Sequence, residues 1–221
     1  MNKNRELSRH SALLFIAVFI LMELPIRIFI QPDPWLLTAE HWYFEQPLRI
    51  ILELILVFIL ILVLAKAART LLTIPKNHVS LLIISSVLSA VIFALLELDQ
   101  LTNSFNTEFT LWLLWLGSGF AIGVGQELLY RGLLFTSLNH YFNVRIAGFV
   151  TTITFIIAPL HSVRLWEYLQ GGHFTTVAIF VAIYFSVSTF FQWLRTHTNS
   201  VTIPALVHGV GNAITWVAVF A

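Results

Sequence analysis

The sequence predicts an all-α fold, a polytopic transmembrane bundle of about seven to eight helices. Three observations carry this. Hydrophobic residues make up 58% of the 221-residue chain and charged residues only 10%, against roughly 25% charge in a soluble domain. The mean hydropathy is +0.85. Apolar runs of about 20 residues, long enough to cross a hydrocarbon core, recur with short polar breaks between them. A net charge of +1 gives no case for a nucleic-acid partner. With no cysteine, disulfides, thiol catalysis and thiolate metal sites are excluded.

The first span is expected from Ser11 to Ile30. Lys3, Arg5 and Arg9 precede it like the head of a signal peptide, but the apolar run is long and no small-residue cleavage site follows, so it reads as a retained helix. Glu23 and Arg27, four apart around Pro25, read as a structural pair. Gln31 to Gln46 reads as a loop, with Trp35 and Trp42 at the membrane interface. Span two, Pro47 to Ala65, contains Glu53; a basic connection with Lys66, Arg69 and Lys76 leads to span three, Val79 to Leu96. Glu97, Asp99 and Glu108 make the next connection acidic.

Phe109 to Tyr141 is apolar for too long to be one simple span. As a helix it would be roughly 50 Å long against a core of roughly 30 Å, so it must tilt, kink or break, with glycines 117, 119, 123 and 125 marking the place. The same glycines form two small faces, Gly119 with Gly123 and Gly117 with Ala121 and Gly125, that let helices approach closely. A phosphate-binding loop does not fit, because no strand precedes and the glycine spacing is wrong. Span five, Arg145 to Leu160, ends at Pro159-Leu160-His161. A polar loop, Ser162 to His173, leads to span six, Phe174 to Leu194. The turn Arg195 to Ser200 leads to the last span, Val201 to Phe220. If the N-terminus is cytoplasmic, Lys3, Arg5, Arg9, Lys66, Arg69, Lys76, Arg145 and Arg195 fall inside, and only Arg49 and Arg164 outside. Seven crossings and an external C-terminus follow, unless the long fourth segment makes two. Residues 1–108 form an N-terminal group of about three helices, and 109–221 the core that carries the chemistry.

That chemistry centres on Gln126-Glu127-Leu128-Leu129-Tyr130-Arg131-Gly132. A charged group inside a membrane costs at least ~2.5–3.5 kcal/mol on insertion scales. Glu127 and Arg131 share one helix face, as do Gln126 and Tyr130. His161 and His208, the latter one turn from Asn212, come from later spans. Hydrolysis of an amide needs a polarised water, donors to the developing oxyanion and exclusion of solvent. A carboxylate with a histidine supplies the first, and His208 with Asn212 the second. Depth is the difficulty. Counted from the turn near Asn143, Glu127 and His161 lie ~24–27 Å up; counted from Ser200, His208 lies only ~12 Å up. As an alternative, Glu127, His161 and His208 offer a carboxylate-bis-histidine set for zinc, without any spacing motif in support.

At these residues the chain resembles the CPBP family of intramembrane proteases, which includes the CaaX-prenyl endopeptidases. The family pattern is Glu-Glu-x-x-x-Arg, Phe-x-x-x-His and His-x-x-x-Asn. Here it reads Gln126-Glu127-Leu-Leu-Tyr-Arg131, Ile157-Ala-Pro-Leu-His161 and His208-Gly-Val-Gly-Asn212, within a resemblance from about Phe120 to Thr215. The resemblance implies a glutamic-type endopeptidase without cofactor, in a prokaryotic cytoplasmic membrane, surrounded by membrane lipid. Its substrate would be a membrane-anchored protein or peptide, with a C-terminal sorting anchor as one form. The residue at 126 with His161 would activate water, His208 and Asn212 would hold the oxyanion, and Glu127 and Arg131 would support them. Two departures stand out. Ile157 replaces the family Phe, an apolar exchange. Gln126 replaces the first Glu, and an amide cannot accept the proton, so the chain as written is expected to be inactive. An engineered replacement is the preferred explanation; a natural non-catalytic homologue and takeover by Glu127 are the others. The alternative function is a membrane adaptor or immunity protein that binds a peptide in the same cleft.

Overall fold

A computed structural model of the chain describes residues 7–27, 47–105 and 107–221. Among them nine helices follow in order: α1 (Arg9–Ile26), α2 (Leu48–Leu72), α3 (Lys76–Leu96), α4 (Leu98–Ser104), α5 (Phe109–Tyr141), α6 (Val144–Ile156), α7 (Pro159–Gln170), α8 (Phe174–Thr198) and α9 (Thr202–Phe220). Six are long and apolar enough to cross a membrane, and seven spans result if the bent pair α6–α7 counts as one. This is the helical membrane bundle that the composition predicts. Trp35 and Trp42, and the end of the first span beyond Arg27, lie outside the described residues.

Local chemistry explains the helix ends. The Asn143 side chain accepts hydrogen bonds from the backbone N–H groups of Arg145 (3.1 Å) and Ile146 (3.0 Å), an N-cap that starts α6 two residues after α5 stops. Pro159 opens α7, where its missing N–H costs nothing. Asn199, with φ of 51°, ends α8 in the left-handed conformation that asparagine tolerates.

Four expectations need correction. The long fourth segment does not break at its glycines: α5 is one 33-residue helix, and its only irregularity is a π-helical stretch, Leu128–Leu134. Ser162 to Gln170 is not a loop. It belongs to α7, bent 58° from α6, because the break falls at Ile157-Ala158 ahead of the proline. Arg49 and Arg164 are not outer surface charges. Arg49 is buried in α2, paired with Glu53 at 2.7 Å, and Arg164 is buried in α7, donating to the Tyr184 hydroxyl at 2.7 Å. Arg195 is likewise buried inside α8 and donates to the carbonyl of Arg131 at 3.4 Å. All three were counted in the charge bias only because a long side chain near a span end is ambiguous in sequence.

α5 lies at the centre of the bundle, and its two glycine faces serve different neighbours. A Cβ on Gly119 would come within 2.6 Å of the Asn212 carbonyl, and one on Gly123 within 2.8 Å of the Gly209 backbone, so this face meets α9. On the other face a Cβ on Gly117 would meet Ile50 at 2.9 Å and one on Gly125 would meet Val57 at 3.5 Å, so α2 packs there. Without a hydrophobic drive between helices in lipid, such close backbone approach supplies much of the association.

The contrast gives a test. Gly123→Ala forces backbone apart at the α5–α9 seam and is expected to cost about 1–3 kcal/mol. Gly125→Ala adds an ordinary contact with Val57 and leaves stability within about 0.5 kcal/mol. Thermal unfolding of the two variants in one detergent checks the difference.

Candidate active site

The site grows from Glu127, which is fully buried near the middle of α5. Its Oε1 accepts from Arg131 Nη1 at 3.1 Å and faces His208 Nδ1 at 2.9 Å. Because the carboxylate can only accept, the proton of that contact belongs to Nδ1 of His208. Arg131 in turn is fixed by Ser188 on α8: its Nη2 donates to the Ser188 carbonyl at 2.9 Å and to the hydroxyl at 2.6 Å. The Ser188 hydroxyl donates onward to Thr152 on α6 at 3.2 Å. One guanidinium thus joins α5, α6, α8 and, through Glu127, α9. It also lies 5.0 Å from the Phe155 ring and 5.8 Å from the Phe191 ring, where aromatic faces favour a cation. Phe191 stacks on His208, with centroids 4.6 Å apart.

Gln126, also buried, accepts at Oε1 from Asn212 Nδ2 at 3.4 Å. This contact and the Glu127–His208 contact are parallel links between α5 and α9. The π-helical stretch begins immediately after Glu127. Such stretches are frequent at functional sites, because the extra residue re-aims the side chains around it.

His161 sits on the first turn of α7, just past the bend. Its Nδ1 lies 2.7 Å from the carbonyl of Phe155, so Nδ1 donates and the neutral ring keeps an accepting lone pair on Nε2. The ring stacks on Tyr184 at 4.3 Å. It reaches the others through Phe155, whose ring is 4.6 Å from His161 and 6.4 Å from His208. The structure therefore brings Gln126, Glu127, Arg131, His208 and Asn212 into direct contact and sets His161 one aromatic ring away. Among the described residues, no three His, Asp or Glu side chains are grouped so as to hold a metal ion; Glu127, His161 and His208 do not make the zinc set.

The depth discrepancy is resolved by a buried turn. Thr198, Ser200 and Val201 are buried, and Val201 lies against Gly132 of α5, well short of its end at Tyr141. Buried backbone outside a helix needs hydrogen-bond partners. It finds them on α2: Val201 N–H donates to the Leu71 carbonyl at 2.8 Å, and the Thr202 hydroxyl to that of Leu72 at 2.9 Å. Starting α9 this deep raises His208 to the level of Glu127. Residue counting had placed the turn at the surface.

Two participants were missed in the sequence. Ser188 and Thr152 carry no signal, since hydroxyl residues are common in apolar helices. Tyr130 was read only as sharing a helix face with Gln126; its hydroxyl donates to Glu23 Oε1 at 2.6 Å, while Glu23 Oε2 holds Arg27 at 2.6 Å.

Fold and site together define a multi-pass helical membrane protein with a buried carboxylate, guanidinium and two imidazoles at its centre. Residues 106–214 match the family model described as type II CAAX prenyl endopeptidase Rce1-like, so this segment is similar to the CAAX-type intramembrane proteases. No curated protein and no solved structure matches the chain.

Removing Arg131 would leave the Glu127 charge buried without its guanidinium. Arg131→Met is expected to destabilise the protein by about 3–5 kcal/mol. Arg131→Lys restores little, because an ammonium cannot fork to Glu127 and Ser188 at once. Chemical or thermal unfolding in detergent measures both.

Proposed function

We propose that this chain is a glutamic-type intramembrane endopeptidase whose water-activating position is occupied by Gln126, so that it binds its substrate but does not cleave it. One observation carries the reading: positions 126 and 127 of α5 each make a direct hydrogen bond to one member of the His208–Asn212 pair on α9. A glutamate at 126 would occupy nearly the same volume and still accept from Asn212, while offering a second oxygen to water. His161 Nε2, the accepting nitrogen, would share that water. Asn212 keeps a second amide hydrogen for the oxyanion; His208 Nε2 can donate to it only when the ring carries both protons. Glu127 and Arg131 hold His208 in place. The substrate would be a membrane-anchored protein or peptide, cut near its anchor. A prokaryotic cytoplasmic membrane with the N-terminus inside fits the exposed Lys66, Arg69, Lys76 and Arg145.

A second reading has one observation in its favour. Glu127 Oε2 is buried and has no hydrogen-bond partner, so it keeps lone pairs with which to accept from a water and take the base role itself.

Reversion decides between them. Gln126→Glu is expected to raise cleavage of a membrane-anchored reporter carrying a CAAX-type C-terminus by about 10²–10⁴-fold, the usual contribution of a general base. Cleavage by the unaltered chain, abolished by Glu127→Gln, would move the base to Glu127. No cleavage by the revertant or the unaltered chain, with the reporter still bound, would make the protein a peptide-binding adaptor.

A further inference from the structure

Beside Thr152, the outermost link of the Arg131 network, α6 and α8 leave a groove of about 430 Å³ between them, towards the Asn143 end of the bundle. Its walls are aromatic, with Phe149, Phe185 and Trp193 all substantially exposed. Two polar groups in it are unexplained by the fold. The Gln192 carboxamide lies across Gly148, where a Cβ would come within 3.3 Å of Gln192 Cγ. Both its Nε2 and its Oε1 are buried and without a hydrogen-bond partner. An unsatisfied amide in a low-dielectric setting is costly, and a partner of some kind belongs there. Arg145 lines the same groove, is exposed, and has no ion-pair partner among the described residues.

We infer that this groove is a binding site for an anionic glycerophospholipid, with its phosphate on Arg145, an acyl chain between Phe149 and Phe185, and an ester or headgroup oxygen on the Gln192 carboxamide. Three features fit this occupant together. Arg145 is three residues before Gly148, so their backbones are offset by ~4.5 Å along the axis, a spacing that a glycerol backbone can span from phosphate to ester. Trp193 stands at the mouth and stacks on His197 with centroids 5.1 Å apart, an aromatic of the kind that settles at headgroup level. The exposed Lys66, Arg69 and Lys76 add a basic field to the same molecule, and basic groups favour anionic headgroups. An extended peptide would also satisfy Gln192, but it would leave its other backbone groups unpaired against aromatic walls and gives no reason for the free cation. The inference is independent of the proteolytic reading, since neither Arg145 nor Gln192 touches the cluster around Glu127.

The test uses the purified full chain in detergent. Retention of phosphatidylglycerol and phosphatidylcholine with identical acyl chains is compared by native mass spectrometry. Phosphatidylglycerol is expected to be retained at least about fivefold better, the worth of one cation near a headgroup. Arg145→Gln should abolish the preference. Gln192→Leu should reduce retention of both lipids and keep the preference. Arg69→Gln, exposed in the last turn of α2, should change neither. Equal retention of the two lipids by the unaltered chain overturns the proposal. So does a preference that falls as far with Arg69→Gln as with Arg145→Gln, because the attraction is then diffuse. A photo-cross-linker at Phe149 that joins polypeptide instead of lipid overturns it too, and makes the groove a route for a peptide.

Discussion

The structure turns on one carboxylate. Glu127 is fully buried in the middle of a membrane bundle, and its Oε1 is shared by Arg131 and His208. An isolated charge there would cost several kcal/mol, so the surrounding architecture has to bring its partners within hydrogen-bond reach. Arg131 comes from the same helix at four-residue spacing, which any helix provides. His208 comes from another helix and requires special construction. Gly119 and Gly123 remove the side chains that would hold α9 away, and the turn before α9 is sunk into the protein beside Gly132. The π-helical stretch, the glycine face and the recessed turn are three parts of one solution to a single electrostatic demand.

Two other acid–base pairs at the same spacing lie in the first two helices, Glu23–Arg27 and Arg49–Glu53. All three pairs neutralise themselves within one helix, which lets each helix enter lipid without a net buried charge. They differ in where the acid points next. Glu53 accepts from Ser118 and Glu23 from Tyr130, both hydroxyls of α5. Glu127 alone binds an imidazole. A second glutamate at 126 would add a negative charge with no guanidinium assigned to it. The glutamine accepts from Asn212 at 3.4 Å without adding a buried charge.

What the sequence made legible follows from how local each signal is. Fold class came from composition and apolar run length, which depend on no contact. Family came from three short motifs in order. The Glu127–Arg131 and Glu23–Arg27 pairs and the two glycine faces are helical-spacing arguments, and the structure places them as that spacing requires. The Arg49–Glu53 pair has the same spacing and went unread, because Arg49 stands near a span end and was counted with the outer charges. The failures that bear on the site were non-local. Nothing in Ser200-Val201 announces a turn sunk against α2, and the depth of His208 depends on it. Nothing near Ser188 or Thr152 marks them as supports of Arg131, since their partners are 57 and 36 residues away along the chain.

Polar contacts recur at the seams around α5 and α9 for a physical reason. Lipid tails are as apolar as leucine, so burying leucine against leucine separates no water and discriminates poorly among packings. Geometry-demanding contacts must do the discriminating. Tyr130 and Ser137 hold α1, through Glu23 and the carbonyl of Ala12. Ser118 holds α2, Ser89 on α3 donates to the Val207 carbonyl of α9, and Arg131 holds α8. Each bond fixes register as well as proximity, because a one-residue slip on either helix turns its partner away. The N-terminal helices are in this sense part of the site. By pinning the turn of α5 that carries Tyr130 and Arg131, they fix where the Glu127 carboxylate meets α9.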